Sequence, residues 1–303
     1  MKKQPVIFNS LSQLHKAMGQ PAPLHPLISI INYGQAEFDA ADLEAGIILN
    51  FYKISFKTKF SGKLKYGQGF YDFEEGGMSF VAPGQLLRMQ EEEADYDGMS
   101  LHIHPDLLRN YALDSHIRQY GFFSYSAAEG LYLSEKEKKT VLSIYQFIED
   151  ELNERIDKFS QDVIISQIEL LLNYANRFYD RQFITRKAVN NDLLSKLEEH
   201  LEIYFIEERS LINGLPSVNT IAESLNVTPR YLSDLLRNLI GLNTQQFIHE
   251  KVIEKAKEFL AKDQMTIAQI AYYLGFEHSQ SFNKLFKRKT NQSPSDYKKS
   301  LLN

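Results

Sequence analysis

One segment near the end of the chain places amide, hydroxyl and amine side chains at the spacing of a single helix face. These groups are Ser279, Gln280, Asn283 and Lys284, and the cations Lys287, Arg288 and Lys289 follow them. Residues three and four apart are neighbours on a helix surface. Glutamine and asparagine amides can pair with adenine and lysine can reach guanine, whereas adjoining cations more often meet phosphates. The pattern therefore predicts a helix that lies in the major groove of DNA.

A second polar face of this kind occurs about 50 residues earlier. Its outward residues are Arg230, Ser233, Asp234 and Arg237. The carboxylate of Asp234 can accept a hydrogen bond from cytosine. Alternatively, it can pair within its own helix with Arg230 and Arg237, which lie one turn before and one turn after it. The sequence leaves both interpretations open, and Arg237 is also a candidate phosphate contact.

Both faces belong to a repeated pattern that predicts a helix, a tight turn and a second helix. Ile221-Ala222-x-x-Leu225 in the first copy corresponds to Ile270-Ala271-x-x-Leu274 in the second. Asn226 and Gly275 stand where the turn needs a left-handed backbone, which asparagine and glycine tolerate. Thr228 is expected to cap the helix after the first turn. One such pattern is a weak signal, but two copies with polar outer faces favour a DNA-reading unit.

The segment between the copies predicts a long helix from about Thr244 to Ala261. Its inner face carries an apolar stripe made of Phe247, Ile248, Val252, Ala256, Phe259 and Leu260. At about 1.5 Å per residue this helix is ~27 Å long. Two reading helices that it separates could therefore enter major-groove segments about one DNA turn, ~34 Å, apart.

Residues 192–300 resemble the AraC/XylS family of bacterial transcription regulators. The resemblance rests on Ile270-Ala271-x-x-Leu274-Gly275-Phe276, Phe282-x-x-x-Phe286-Lys287, Ser293-Pro294-x-x-Tyr297, Arg230-Tyr231-Leu232, Gly241 and Lys255-Ala256. Asn291 stands where the family usually has glycine, but asparagine also tolerates a positive φ. The resemblance implies that the base-reading positions are Arg230, Ser233 and Asp234 in one helix and Ser279, Gln280, Asn283 and Lys284 in the other. It also implies double-stranded DNA and RNA polymerase as partners.

Charge is distributed unevenly along this region. The whole chain has a net charge of −5 at pH 7, which by itself does not favour DNA binding. However, residues 279–303 hold six lysines and arginines against one aspartate, whereas residues 192–211 hold six acidic residues against two basic ones. We therefore expect the terminal helices to face DNA and the acidic helix to face away from it.

The sequence pattern of the first part of the chain predicts short strands followed by two helices. For the chain as a whole it predicts an α+β fold. Turn residues such as Pro83-Gly84 separate apolar runs between about residues 27 and 104, a spacing typical of a small barrel or sandwich. Ser134-x-x-Glu137 is a capping box before one helix, and a second, antiparallel helix follows Ser160. Their apolar stripes suit either a cover for the strands or the interface of a homodimer. Both interpretations stay open.

The family resemblance implies an N-terminal cupin-like β-barrel, carried by residues 1–185, that senses a signal and dimerises. The polar residues 186–191 are interpreted as a linker. Residues 192–303 then form an all-α domain with two helix-turn-helix units joined by a linker helix.

Aromatic residues of the strand region could line a pocket for an organic ligand. The candidates are Phe51, Tyr52, Phe56, Phe70 and Tyr71, and an ordinary core is the alternative interpretation of most of them. His102-x-His104 places two imidazoles on one face of a strand. No third ligand can be named, so we expect neither a metal nor another cofactor.

Several classes of protein are not favoured. The chain has no Walker loop, Gly-x-Ser-x-Gly or His-Glu-x-x-His sequence, so we do not predict an enzyme. It also has no cysteine, signal-peptide pattern or long apolar run, so we expect a cytoplasmic protein without membrane contact. The family resemblance implies that it is bacterial and nucleoid-associated. The leading hypothesis is a sequence-specific transcription regulator that responds to a small molecule. The alternatives are a regulator controlled by its abundance or a protein partner, and an enzyme with a catalytic barrel.

Overall fold

A computed structural model describes residues 4–35, 46–61, 64–66, 69–71, 76–87, 95–126, 129–155 and 157–301. The chain divides into two compact units, Met1–Gln182 and Phe183–Asn303, called here the N-terminal and C-terminal units. The predicted linker at 186–191 differs from what is observed, because a helix begins at Lys187. The helical backbone is interrupted at Arg186, between the helix that ends at Thr185 and the one that begins at Lys187. The domain boundaries at 185 and 192 stay predictions.

The N-terminal unit is rich in strands. Those in the described residues are β1 Val6–Phe8, β2 Ile28–Asn32, β3 Ile47–Leu49, β4 Tyr52–Ser61, β5 Leu64–Tyr66, β6 Gly69–Tyr71, β7 Gly77–Val81, β8 Leu86–Leu87, β9 Asp95–Ile103 and β10 Leu131–Tyr132. They form sheets in the orders β1-β3-β8, β10-β7-β4-β9-β2 and β5-β6. None of these sheets closes on itself within the described ranges. The mixed α+β class is confirmed, whereas the cupin-like barrel stays a prediction.

Four helices accompany these strands in the described residues: α1 Leu11–Ala17, α2 Ala112–His116, α3 Glu135–Asn153 and α4 Ser160–Thr185. The predicted capping box is present, since Ser134 Oγ accepts from the N–H of Glu137 and the Glu137 carboxylate accepts from the N–H of Ser134. The same carboxylate accepts two hydrogen bonds, at 2.6 and 3.0 Å, from the guanidinium of Arg181. This charged pair links α3 to α4 near their ends.

The two long helices cover one face of the five-stranded sheet. Ile54 and Phe56 of β4 are fully buried, and the hydroxyl of Tyr145 in α3 donates to the carbonyl oxygen of Ile54 at 2.8 Å. The ring of Tyr179 in α4 packs against Phe80 of β7, with centroids 6.2 Å apart. The predicted stripe of α4 is buried throughout: Ile164, Ile168, Leu171, Leu172, Ala175, Phe178 and Tyr179. This stripe covers the sheet, and homodimerisation stays a prediction.

The C-terminal unit is helical. Its helices are α5 Lys187–Ile206, α6 Arg209–Asn213, α7 Val218–Ser224, α8 Pro229–Ile240, α9 Thr244–Lys262, α10 Ile267–Tyr273, α11 Ser279–Thr290 and α12 Pro294–Leu301. The predicted connecting helix is α9, which ends one residue later than expected. It lies at the centre and packs against α8, α10, α11 and α12. Its core side chains are Phe247, Ile248, Val252, Ile253, Ala256 and Leu260.

Candidate nucleic-acid interface

The first helix-turn-helix unit consists of α7 and α8. Asn226 in the turn between them has a φ of 56°, the left-handed conformation expected from its residue type. Thr228 caps α8, because its hydroxyl accepts from the N–H of Tyr231 at 3.2 Å. Ala222 and Leu232 are fully buried where the two helices meet. These features fix the entry angle of α8 and confirm the predicted turn.

The second unit consists of α10 and α11, and its turn is more tightly constrained. Gly275 has a φ of 92°, and a Cβ atom at this position would lie 2.4 Å from the carbonyl carbon of Gly214. Phe276 follows it into the core and packs edge-on against Phe282, with centroids 5.5 Å apart. Asn291 ends α11 with a φ of 61°. Asparagine thus adopts the conformation for which the family uses glycine.

The outer face of α11 presents the predicted polar groups to solvent. The exposed members are Gln280, Asn283, Lys284, Lys287 and Arg288. Phe282, Leu285 and Phe286 on the opposite face are buried. Since burial of these three side chains fixes the rotation of the helix, amide and ammonium groups stand together on one side. Such a face can donate and accept hydrogen bonds at base edges and neutralise phosphates.

Two predicted members of this face, Ser279 and Lys289, are less exposed to solvent than the others. Ser279 is half-buried at the start of α11. The ammonium of Lys289 lies 2.7 Å from the carboxylate of Glu250 on α9. An ion pair inside the protein competes with a phosphate for the same charge. Lys289 therefore helps to hold α11 on α9 in this structure.

The outer face of α8 has a different arrangement. The two carboxylate oxygens of Asp234 each accept a hydrogen bond, one from Arg230 and one from Arg237, both at 2.9 Å. The structure thus contains the intrahelical pairing that was one of the two interpretations of Asp234. The hydroxyls of Ser233 and Thr244 lie 3.0 Å apart, and Thr244 is fully buried. Ser233 consequently faces α9.

The local charge differs between the surroundings of α11 and those of α5. Burial and the positive charges of Arg288 and Lys289 lower the pKa of His249, which reports a positive field beside α11. On acidic helix α5, the Glu198 carboxylate pairs with Lys251 of α9 at 3.1 Å. Part of the acidic surface of α5 is therefore directed at α9.

Two exposed side chains near the reading helices were not predicted. Ser281 is exposed on α11, and its position three residues before Lys284 was the signal that could have identified it. Tyr272 is 54% exposed on α10. Its neighbour Tyr273 does pack, and donates its hydroxyl to the carbonyl of Phe205 at 3.2 Å. Of these two adjacent tyrosines, only Tyr272 is therefore available to an outside partner.

Three of the five candidate pocket residues in the N-terminal unit have side chains that the structure describes. Phe51, Tyr52 and Phe56 are buried, and Phe56 packs beneath the helices against Tyr145. Tyr52 packs edge-on against Phe123. The side chains of Phe70 and Tyr71, which lie in β6, fall outside the described residues. For Tyr52 and Phe56 the packing matches the core interpretation.

The two histidines of His102-x-His104 also separate. His102 is buried in β9, whereas His104 follows the end of the strand and accepts from the N–H of Asp106 at 3.2 Å. In the part of the chain that the structure describes, no three metal-ligating side chains come together. Nor is any helix in those ranges both long and apolar enough to span a membrane.

Comparison with known proteins finds a matching family model and related transcription regulators. A family model described as a helix-turn-helix domain matches residues 221–300. An uncharacterized HTH-type transcriptional regulator of Staphylococcus aureus is 27% identical over 146 residues, which are 48% of this chain and 18% of that protein. The HTH-type transcriptional activator RhaS of Salmonella paratyphi B is 29% identical over 138 residues, 45% of each chain. The matched region thus spans less than half the length of either relative.

Among solved structures, the C-terminal domain of AraT, a response regulator from Geobacillus stearothermophilus, is 25% identical in sequence. The match covers 36% of this chain and 84% of that domain, with a TM-score of 0.32.

Proposed function

Residues 221–300 form a helix-turn-helix domain of the AraC type, and from that premise we propose that the chain is a sequence-specific transcription regulator. Its partner is double-stranded DNA, entered by α8 and α11 at adjacent segments of the major groove. The observation that carries the proposal is the outer face of α11. There Gln280, Asn283 and Lys284 are exposed together, on a helix whose opposite side is anchored in the core.

The length of helix α9 supports the use of two groove segments. Helix α9 separates the units and has 19 residues, so it is about 28 Å long. Successive major-groove segments on one side of B-DNA are ~34 Å apart. A rigid spacer of this length suits two neighbouring contacts on one face of the duplex.

The two reading helices have different roles in this proposal. In α11, Gln280, Asn283 and Lys284 contact base edges, while Lys287 and Arg288 contact phosphates. In α8, Arg230 and Arg237 are first held by Asp234. They reach DNA when phosphates replace that carboxylate as their partner. Helix α11 therefore supplies most of the initial affinity for DNA. Helix α8 adds contacts that depend on how this helix is positioned against the duplex.

The N-terminal unit is proposed to bind an effector and to form a homodimer. A row of exposed apolar side chains on α4 and directly before it supports the second part: Phe159, which precedes the helix, is 56% exposed, Val163 38% and Leu170 45%. Val163 and Leu170 are equally spaced about the pair Ser166–Gln167. Two antiparallel copies of α4 that cross there would bring Val163 of one copy against Leu170 of the other, as a twofold interface requires. A dimer presents four reading helices, and RNA polymerase is the proposed downstream partner in the bacterial cytoplasm.

The proposal is tested with duplexes selected from a random library by the full-length protein. Gln280→Ala and Lys284→Ala should each lose about 1–3 kcal/mol at particular base pairs of the selected sequence and little elsewhere. Lys196→Ala is the matched control, because Lys196 lies on acidic α5 and pairs with Asp192. If both α11 variants bind the selected duplex as tightly as the control, α11 does not read DNA and the proposal fails.

A further inference from the structure

Helix α9, which joins the two helix-turn-helix units, carries a histidine between the two reading helices. Thr244 faces α8, because its hydroxyl lies 3.0 Å from that of Ser233. Glu250 faces α11, since its carboxylate lies 2.7 Å from the ammonium of Lys289. Successive residues of a helix are rotated by about 100°, and this rotation places His249 on the helix surface between those two positions. His249 therefore lies on the side of α9 that joins α8 to α11.

The opposite side of α9 belongs to α5. Lys251, which is about half a turn from His249, pairs with Glu198 of α5 at 3.1 Å. His249 itself is half-buried, and Gln245, one turn before it, is exposed. These two side chains, Gln245 and His249, are called the α9 edge. The α9 edge reaches solvent on the side where the reading helices project.

A duplex that is read by both helices must pass over the α9 edge. When α8 and α11 enter successive major-groove segments on one face of the duplex, the minor groove and its two rows of phosphates lie between them. The α9 edge lies between the same two helices, so it faces these phosphates. Hydrogen bonds to phosphates fix the register of a protein on DNA, and both an amide and an imidazole can donate them.

The ring of His249 is neutral in the free protein. The amide nitrogen of Gln245 lies 2.9 Å from Nε2 of this ring, and an amide nitrogen only donates, so Nε2 is an acceptor. Burial and the positive charges of Arg288 and Lys289 lower the pKa of His249, while Glu250 acts in the opposite direction. A phosphate oxygen also only accepts. The Nε2 atom can therefore contact a phosphate only after it has gained a proton.

The other helices that pack against α9 direct their charges elsewhere. On α8, Asp234 pairs with Arg230 and Arg237. On α12, Lys298 pairs with Asp263, which directly follows α9. The contact between α10 and α9 is aromatic. The charge around the imidazole is therefore set by α11 and by the carboxylate on its own helix.

We propose that His249 and Gln245 contact a DNA phosphate between the two groove segments, and that the imidazole takes up a proton from solvent when DNA binds. The phosphate supplies the negative charge that offsets Arg288 and Lys289. The Nε2–H group of the imidazolium then donates to the phosphate oxygen, and the amide of Gln245 donates to the same group. Affinity for DNA rises as the pH falls, because the complex binds more protons than the free protein. The inference rests on the proposed entry of α8 and α11 into a duplex.

Calorimetric titration with a selected duplex counts the protons directly. The full-length protein is titrated at about pH 7 in PIPES and in Tris, whose heats of ionisation differ. The wild-type protein should take up a fraction of a proton, and at most one, for each chain that binds. His249→Gln, which keeps a hydrogen-bonding side chain, should take up none. No uptake by the wild-type protein, or equal uptake by the two proteins, would overturn the proposal.

Fluorescence anisotropy then tests the consequence for affinity. Wild-type protein should bind the selected duplex about three- to tenfold more tightly at pH 6 than at pH 8. The slope of log K against log salt should be steeper at pH 6 by at most about 1, because one more cation contacts a phosphate. His249→Gln should lose both differences and bind at either pH as the wild-type protein binds at pH 8.

His278→Gln is the matched control, because His278 is exposed directly before α11 and is also close to the proposed duplex. This variant should keep both differences between pH 6 and pH 8. Differences that persist in His249→Gln and disappear in His278→Gln would overturn the assignment. Binding of DNA that does not depend on pH would overturn this inference alone, whereas failure of the wild-type protein to bind any duplex would overturn the proposed function itself.

Discussion

The Asp234 carboxylate accepts a hydrogen bond from the Nε atom of Arg230 at 2.9 Å, one helical turn away on the outer face of α8. Its second oxygen holds Arg237 in the same way. A reading helix with two arginines therefore presents much less positive charge than its composition indicates. Because the side chains of Arg230 and Arg237 are 45% and 49% exposed, phosphates can reach them and replace the carboxylate of Asp234, which is only 18% exposed.

We expect Asp234→Asn to strengthen binding to duplexes of any sequence. Loss of one negative charge and release of the arginines should raise affinity about two- to fivefold at low salt and steepen the dependence of log K on log salt. Fluorescence anisotropy with a selected duplex and a scrambled one measures both quantities. If Asp234 instead accepts from cytosine, the selected duplex alone would lose affinity, at one base pair, and the pairing interpretation would be wrong.

Lys287 and Lys289 are matched cations on α11 that should behave differently. Lys287 is exposed, whereas Lys289 pairs with Glu250 at 2.7 Å. Lys287→Ala should lower the salt slope of DNA binding by about 1 without changing sequence preference. Lys289→Ala should change the slope less and instead destabilise the packing of α11 on α9. Equal slopes for the two variants would show that the ion pair does not withhold Lys289 from phosphate.

Much of the C-terminal unit could be predicted because its determinants are local. The left-handed turns at Asn226 and Gly275 and the cap at Thr228 each follow from one residue type at one position. The spacing of apolar residues likewise predicted both ends of α9 to within one residue. These features do not depend on how distant helices cross.

The contacts that could not be predicted join residues far apart in sequence. Spacing placed Lys289 and Ser233 on outward faces, but each has a partner on α9, Glu250 and Thr244 respectively. Those partners are set by the crossing angles of α8 and α11 over α9, which a periodic pattern does not specify. The position of His249 between α8 and α11 escaped prediction for the same reason, since the packing of those helices on α9 sets it.

Gly275→Ala should unfold or strongly destabilise the C-terminal unit. The substitution combines a left-handed backbone with a Cβ atom 2.4 Å from the backbone of Gly214, so we expect a loss above ~3 kcal/mol. Gly241→Ala is the control, because Gly241 also has a positive φ but a Cβ atom there would meet nothing within 4 Å. Gly241→Ala should lower the free energy of unfolding by only about 1 kcal/mol. Chemical denaturation measures the free energy of unfolding of both variants. Similar losses of stability would mean that contact with Gly214 contributes nothing to the effect of Gly275→Ala.

Leu170→Glu should convert the proposed homodimer into a monomer. A carboxylate in the exposed apolar row of α4, one turn from the proposed crossing point at Ser166–Gln167, would have to be desolvated in the interface, at a cost of several kcal/mol. Sedimentation velocity of the full-length protein over a range of concentrations measures the change. Leu24→Glu serves as the control, because Leu24 is 66% exposed in a loop of the same unit. Dimers that persist in Leu170→Glu would exclude this face of α4 as the interface.

Lys57 should make stability depend on pH in the neutral to alkaline range. Burial and the charge of Lys53 lower its pKa from 10.5 to about 7 in the folded protein, so between these values the unfolded chain binds more protons. Stability from this residue therefore rises with pH across that window and is lowest below about pH 7. We expect Lys57→Met to raise the melting temperature more at about pH 6.5 than at about pH 9.5. The control Lys16→Met, on the exposed side of α1, should shift it equally at both, and an equal shift for Lys57→Met would show that Lys57 keeps its charge when folded.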